Sequence, residues 1–314
     1  MTTPSGNPTG NPTGSPTGTA LHLTAENWGL RQLGGRPGLP SYVRDLWNRR
    51  YFALELARSR FRAETEADRL GVAWIVLRPL INATVYGIVF GYILVSKSRP
   101  ADYLPYLVTG IFVFQYFAGC LADGARSIVA NMGLVTTLHF PRAVLPIAVV
   151  YQQLLGLIWM IITLCVIVLV NGDRVLVSWL EVIPAVLLFS LFNLGVAFVA
   201  ARITIHLRDV AQLLPFVTRM FFYLSGVFAS MQSLLHGHPK MLAIAEANPI
   251  YVFMTLVRVA LLGKDNVFRD PQPPHHIFHY DPTRTWTYAL AWAFGMLVLG
   301  FVFFWAAEDK YGRE

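Results

Sequence analysis

The chain has 314 residues, 55% of them hydrophobic and only 14% charged. Soluble domains carry about 25% charged residues, so this composition excludes an ordinary soluble enzyme and points to an integral membrane protein. The net charge of +7 does not describe a nucleic-acid surface either, because nine of the 25 Lys and Arg precede residue 70, as in a basic cytoplasmic face.

The chain begins MTTPSGNPTGNPTGSPTGTA, a short repeat with Pro and Gly every few residues. Such a stretch cannot build a core, so residues 1–40 are expected to be a disordered cytoplasmic tail. It lacks the basic start and apolar middle of a signal peptide. Residues 41–70 follow as SYVRDLWNRRYFALELARSRFRAETEADRL. Val43, Trp47, Tyr51, Leu54 and Phe61 fall at helical spacing and form one apolar face. Arg44, Arg49, Arg50, Arg58 and Arg62 occupy much of the remainder. That pattern predicts an amphipathic helix lying along the headgroups, with arginines near lipid phosphate.

Residues 71–310 contain six apolar runs of spanning length: Val72–Val95, Tyr103–Leu121, Val144–Val170, Val175–Ala201, Ala211–Ser230 and Trp286–Ala307. The N-terminal segment, Arg126, Arg142, Arg202, Arg208, Lys310 and Arg313 share one face, while the short opposite loops hold Lys97, Arg99 and Arg174. The excess predicts both termini in the cytoplasm. The stretch from Met231 to Arg284 is then external. The expected fold is an all-α polytopic membrane protein.

Within this frame the chain offers little catalytic chemistry. No G-x-x-x-x-G-K-[ST] phosphate loop exists, and the Gly263-Lys264 pair lacks its companions. His275, His276 and His279 sit in the proline-broken stretch DPQPPHHIFHYDP, which reads as a structured loop rather than a metal site. Cys120 and Cys165 read as small buried thiols. Glu181 and Asp123 do not form the paired carboxylates of a proton relay. No catalytic residue, metal or cofactor is therefore expected in this chain.

Polar groups inside the spans carry more information. Arg219 lies about eight residues into the fifth run, a costly position that suits either contact with an anionic substrate or pairing with Asp123 or a carbonyl. Arg78 is placed to reach lipid phosphate. Asn82, Gln115, Gln152, Gln153 and Asn193 either line a conduit or join helices. Aromatic residues cluster as FVFQYF (112–117) and FFYLSGVF (221–228), whose rings suit sugar C–H faces as well as ordinary packing. Between the second and third runs lies NMGLVTTLHFPRAVLP (131–146), too polar to span a membrane. It nevertheless spaces Leu134, Val135, Leu138 and Phe140 as a short helix that Pro141 stops.

The ordered stretches resemble the membrane permease of type-2 ABC exporters, in the branch that exports O-antigen, teichoic acid or capsule. The likeness is carried by YLPYLVTGIFVFQYFAGCLADGARSIVANMGLVTTLHFPRAVLP, by Arg60–Arg62, Leu70-Gly71, Trp74, Pro79 and YGIVFGYI (86–93). It continues in Arg208-Asp209, LSGVF (224–228) and NPIYVFMTLVR (248–258). Two departures stand out: AETEAD lengthens the step before Leu70-Gly71, and Thr137-Leu138-His139 stands where the family commonly has a lysine.

The resemblance implies a homodimeric permease that recruits two copies of a separate ATPase, which binds ATP and Mg. Its cargo would be a polyprenyl-diphosphate-linked polysaccharide of O-antigen, teichoic acid or galactan type, exported across the plasma membrane. Short re-entrant helices would lie externally between the fifth and sixth spans. Asn131, Leu134, Val135, Leu138, Phe140, Pro141 and Arg142, with Arg208 and Asp209, would couple to the ATPase in a helix-in-groove contact. Arg58, Arg60, Phe61, Arg62 and Trp74 would meet the substrate's lipid head. Phe112, Phe114, Tyr116, Phe117, Arg219, Phe222, Tyr223 and Phe228 would line the conduit. The alternatives are a drug or small-lipid exporter of the same fold and, further away, an integral-membrane glycosyl- or acyltransferase.

Overall fold

The computed structural model of the chain describes residues 38–66, 69–90, 103–138, 140–170, 177–235, 237–269 and 277–308. The Pro/Gly-rich tail, the first span beyond residue 90, Lys97, Arg99, His139, Arg174, His275, His276, Lys310 and Arg313 lie outside the described residues. The described residues form helices and turns, with one isolated antiparallel bridge between Arg269 and Ile277.

Helices α1 (Leu39–Asn48) and α2 (Arg50–Glu66) come first. Pro40 in the first turn of α1 has no N–H to waste there. Val43, Trp47 and Tyr51 are exposed, whereas Tyr42, Ala53 and Ala57 are buried on the opposite side. The aromatic face thus turns away from the protein, and a second face of small residues and Tyr42 docks on the bundle.

Then follow α3 (Ala73–Ile88), α4 (Tyr103–Arg126), a 3-10 turn (Val129–Asn131), α5 (Met132–Thr137) and α6 (Val144–Val170). A second 3-10 turn (Val177–Glu181) leads into α7 (Val182–His206), and α8 (Val210–Leu224) and α9 (Met231–Leu234) come next. The remainder is α10 (Pro239–Ala247), α11 (Pro249–Leu262), α12 (Lys264–Phe268) and α13 (Pro282–Trp305).

Four of these helices are long and apolar enough to cross a membrane: α4, α6, α7 with its preceding turn, and α13. Helices α10 and α11 together pass the same test but bend by 81° at their break, giving up to five spans by length and composition. The six predicted full-length spans are therefore not all present as single long helices. At about 1.5 Å per residue, the 15-residue α8 reaches about 22 Å, short of a 30 Å hydrocarbon core, while the described residues of the first span stop at Phe90.

The helix ends follow from local chemistry. Asn248 and Asp281 each precede a proline, and each side chain accepts from the backbone N–H two or three residues on, Ile250 at 3.0 Å and Arg284 at 3.2 Å. Gly263 closes α11 with φ +80°, a conformation that glycine adopts without a Cβ clash. Gly226, at φ +66°, turns the chain after α8, so the fifth apolar run ends its helix at Leu224 rather than Ser230.

Helix α4 is the centre of the bundle, packed by α6, α7 and α11. Rings interlock there: Phe189 stacks on Phe253 at 4.8 Å, and Tyr116 meets Phe189 edge-on at 5.4 Å. Lipid is as apolar as a leucine side chain, so such helices associate through close packing rather than hydrophobic transfer. The α7–α13 pair shows this at its limit. A Cβ on Gly300 would strike the carbonyl of Gly195, and one on Gly195 would strike the Met296 backbone. A second cluster joins Tyr42, Ile128, Val135, Leu145, Phe198, Ile205 and Phe304 at the end of the bundle that carries α5.

Candidate functional site

A cleft of about 600 Å³ opens along α4. From α3, Trp74, Arg78, Asn82 and Tyr86 recur every four residues and so share one helix face lining it. From α4 come Phe114, Gln115, Ala118, Gly119, Ala122, Asp123 and Arg126; from α8, Leu214, Pro215, Thr218, Arg219, Phe222 and Tyr223. The small residues in the middle of the α4 face leave the space open. A Cβ on Gly119 would lie 2.5 Å from the Gln153 side-chain oxygen and would displace that amide. Gln153 in turn donates to the Asp123 carboxylate at 2.6 Å.

Three arginines and two carboxylates, Glu64 and Asp123, line this cleft. Glu64 accepts from Gln152 at 3.0 Å, so both carboxylates are held by amides of α6. Arg78 lies over the Trp74 ring at 5.7 Å. Arg219 has no hydrogen bond or ion pair among the described residues, and Asp123 is bound by Gln153 rather than by it. Arg219 is exposed on the cleft wall, where a cation not tied up in an ion pair is open to an anion.

The expected conduit residues divide. Phe114, Arg219, Phe222 and Tyr223 line the cleft. Phe228 closes an aromatic wall beside it, 5.0 Å from the rings of Tyr86 and Phe222 and 4.6 Å from Phe90. Phe112, Tyr116 and Phe117 instead turn into the core. They lie on the face of α4 that α7 and α11 cover, and the hydroxyl of Tyr116 donates to Ser190 at 2.8 Å.

The residues expected at the lipid head divide too. Trp74 lines the cleft, and Arg62 is exposed. Arg58 makes an exposed 3.8 Å pair with Glu55, and Phe61 is half-buried. Arg60 instead donates to the Asn131 side chain at 2.7 Å. Burial lowers the Arg60 pKa from its ordinary value, yet a guanidinium stays protonated. This bond joins the amphipathic helix directly to the 131–146 segment.

That segment is anchored on several sides. Val135 is 7% exposed in the second cluster, where Leu134 and Phe140 pack against it. Phe140 also meets Phe52 of α2 edge-on at 5.6 Å. Beyond Pro141, the Arg142 N–H donates to the Glu308 carboxylate at 3.1 Å, and its guanidinium donates to the Glu308 carbonyl. The Tyr42 hydroxyl donates to the other Glu308 oxygen at 2.9 Å and accepts from the Ala143 N–H at 3.2 Å. The apolar face read from the sequence is thus largely spent on the protein's own bundle. Leu138, half exposed, leaves helical geometry and points outward, beside exposed Gly133, Thr136 and Thr137. Arg208 and Asp209 are exposed at the α7–α8 turn, three and four residues past Ile205 of the same cluster.

One organising residue was not assigned a role from sequence. Arg258 is 1% exposed and donates to the carbonyls of Tyr106 (3.2 Å), Gly226 (3.0 Å) and Val227 (2.9 Å). Its guanidinium lies 3.5 Å from the centre of the Tyr106 ring. Gly110 makes room, since a Cβ there would strike the guanidinium. Arg258 thereby ties LSGVF to NPIYVFMTLVR and both to α4. The available signal was one arginine in an otherwise apolar helix, a costly placement unless buried acceptors await it.

Residues 56–262 match the family described as ABC-2 type transporter. An O-antigen export system permease protein RfbA of Klebsiella pneumoniae is 27% identical over 163 residues, which is 52% of this chain and 62% of that protein. A protein of the same description from Myxococcus xanthus is 24% identical over 215 residues, 68% of this chain and 81% of that protein. The chain thus spans about three fifths of the length of the Klebsiella relative.

Proposed function

We propose, because the chain belongs to the ABC-2 type transporter family, that it is the membrane subunit of an ATP-driven exporter of a lipid-linked polysaccharide. The cargo on this reading is a glycan of O-antigen, teichoic acid or galactan type carried on a polyprenyl diphosphate. The relatives' printed description, O-antigen export, supports the glycan. The observation that carries the reading is the cleft, where unpaired Arg219 stands with Arg78 and Arg126 beside an aromatic wall.

The cargo has two chemistries, and the cleft offers a surface for each. A diphosphate needs cations, and arginine presents a planar fork of donors to phosphate oxygens. Sugar rings need flat apolar faces, which Phe114, Phe222 and Tyr223 present within the same hollow. Two copies of the chain would face each other across the cleft, each with an ATPase subunit that binds ATP and Mg. Both termini and the 131–146 segment lie on the cytoplasmic side in this reading, and the membrane is the plasma membrane.

The outward groups of the 131–146 segment, Leu138 with Thr136 and Thr137, offer the ATPase contact, and Arg208-Asp209 extends it. Force entering there reaches α2 through Arg60–Asn131 and α13 through Arg142–Glu308. Depletion of the protein in cells tests the function. Completed lipid-linked glycan should accumulate on the inner face; normal delivery of glycan to the outside would overturn the proposal.

A further inference from the structure

A second, smaller hollow lies far from the 131–146 segment. Helix α13 packs Phe304 with Val135 at one end, while Arg284, Thr285 and Tyr288 of its first turns border this hollow at the other. The 24 residues of α13 put the two ends about 36 Å apart. The volume is about 60 Å³. At about 10–15 Å³ of such volume per water, it has room for about four to six waters, or about the bulk of one sugar ring.

The lining is prearranged. Gln232 is 7% exposed, and its side-chain nitrogen faces two acceptors, Glu246 at 3.3 Å and the His279 carbonyl at 3.4 Å. Those acceptors set the amide orientation, and the Gln232 side-chain oxygen is left buried with no hydrogen-bond partner among the described residues. Glu246 is also paired with Arg284 at 3.2 Å, and Arg284 donates to the Tyr288 hydroxyl at 3.3 Å. Phe268 and Tyr280 stack at 4.8 Å along the same hollow.

This set discriminates between ligands. Glu246 and Asp281 repel an anion such as phosphate. A metal ion is poorly served, because the described residues hold no group of three His, Cys, Asp or Glu for one, and Arg284 already neutralises Glu246. A neutral polyol suits the site: its hydroxyls satisfy an orphan acceptor while its C–H faces lie on aromatic rings. We propose that this hollow is a subsite for one neutral sugar residue of the exported glycan, a ring hydroxyl donating to the Gln232 side-chain oxygen. The assignment to the exported glycan rests on the exporter reading above; the sugar site itself does not.

The test uses the full chain in nanodiscs and methyl glycosides of galactose, glucose, mannose and rhamnose, followed by saturation-transfer NMR. Wild type should bind at least one glycoside with a Kd of about 1–10 mM, and Gln232→Leu should weaken it about tenfold or more. Val43→Ala, on the exposed face of α1, should bind as wild type does. If Gln232→Leu does not fold, Tyr280→Leu, which removes a stacking face, carries the same expectation. No binding of any glycoside to wild type, or equal binding by the folded variants, overturns the subsite. Sugar binding by a protein whose depletion leaves glycan export unchanged overturns the exporter reading and keeps the sugar site.

Discussion

Arg258 and Arg219 are both arginines in apolar helices, and the structure predicts opposite consequences for replacing them by methionine. In Arg258→Met the Val227 carbonyl loses its guanidinium donor at 2.9 Å and is left buried. Gly226 keeps the Tyr106 hydroxyl at 3.3 Å, and Tyr106 keeps its place in α4, so about one acceptor is orphaned. That costs about 1–3 kcal/mol. Loss of the cation over the Tyr106 ring adds about 2 kcal/mol, partly offset because a charge no longer has to be desolvated. The net is about 2–4 kcal/mol, which at about 2–4 °C per kcal/mol for larger domains lowers the melting temperature by about 5–15 °C. Arg219→Met removes no hydrogen bond or ion pair among the described residues and should change stability by less than about 0.5 kcal/mol. Its effect belongs in transport: a charged hydrogen bond to phosphate is worth about 1.5–3 kcal/mol, so glycan export should fall about tenfold or more. The assay is a fluorescence melt of purified protein beside glycan export in cells. A wild-type melt for Arg258→Met, or a comparable melting loss for Arg219→Met, would refute the division of roles.

Three further outcomes follow from named contacts. Leu138→Asp changes an outward group and should leave the amount of folded protein unchanged while uncoupling ATP hydrolysis from export, whereas Val135→Asp buries a carboxylate and should abolish folded protein, as read by size-exclusion chromatography of both. Gly300→Val forces a side chain against the Gly195 carbonyl and should cost more than about 3 kcal/mol, visible as loss of monodisperse protein. Tyr42→Phe removes both the donor to Glu308 and the acceptor for the Ala143 N–H. It should cost about 1–3 kcal/mol and expose the α1–α2 region to protease, while Val43→Ala on the outer face should do neither.

Hydropathy placed the start of the third span at Val144, where α6 begins, because no charged residue interrupts the run that follows. It stopped the second span at Leu121, whereas α4 continues to Arg126; Asp123 and Arg126 face the cleft, which one-dimensional hydropathy cannot distinguish from leaving the bundle. The last helix starts at Pro282, four residues before Trp286, because a cap and a proline set its beginning rather than apolar character. Periodicity identified the aromatic stripe of α1 and α2, but Tyr42 was invisible beside it. Its partner Glu308 is 266 positions away, and no local pattern announces such a bond. The 131–146 segment illustrates the same limit: spacing predicts an apolar face, but only packing reveals that Val135 and Phe140 use it within their own bundle.

The glycine contact between α7 and α13 has a mechanical consequence. With no side chain between Gly195 and Gly300, neither helix can slide by a residue without driving a Cβ into backbone. The pair is a stator. Widening of the cleft then falls to the helices that line it, of which α3 and α8 each carry an internal proline, Pro79 and Pro215. A stroke delivered near Glu308 would travel along α13 with little lost to shear.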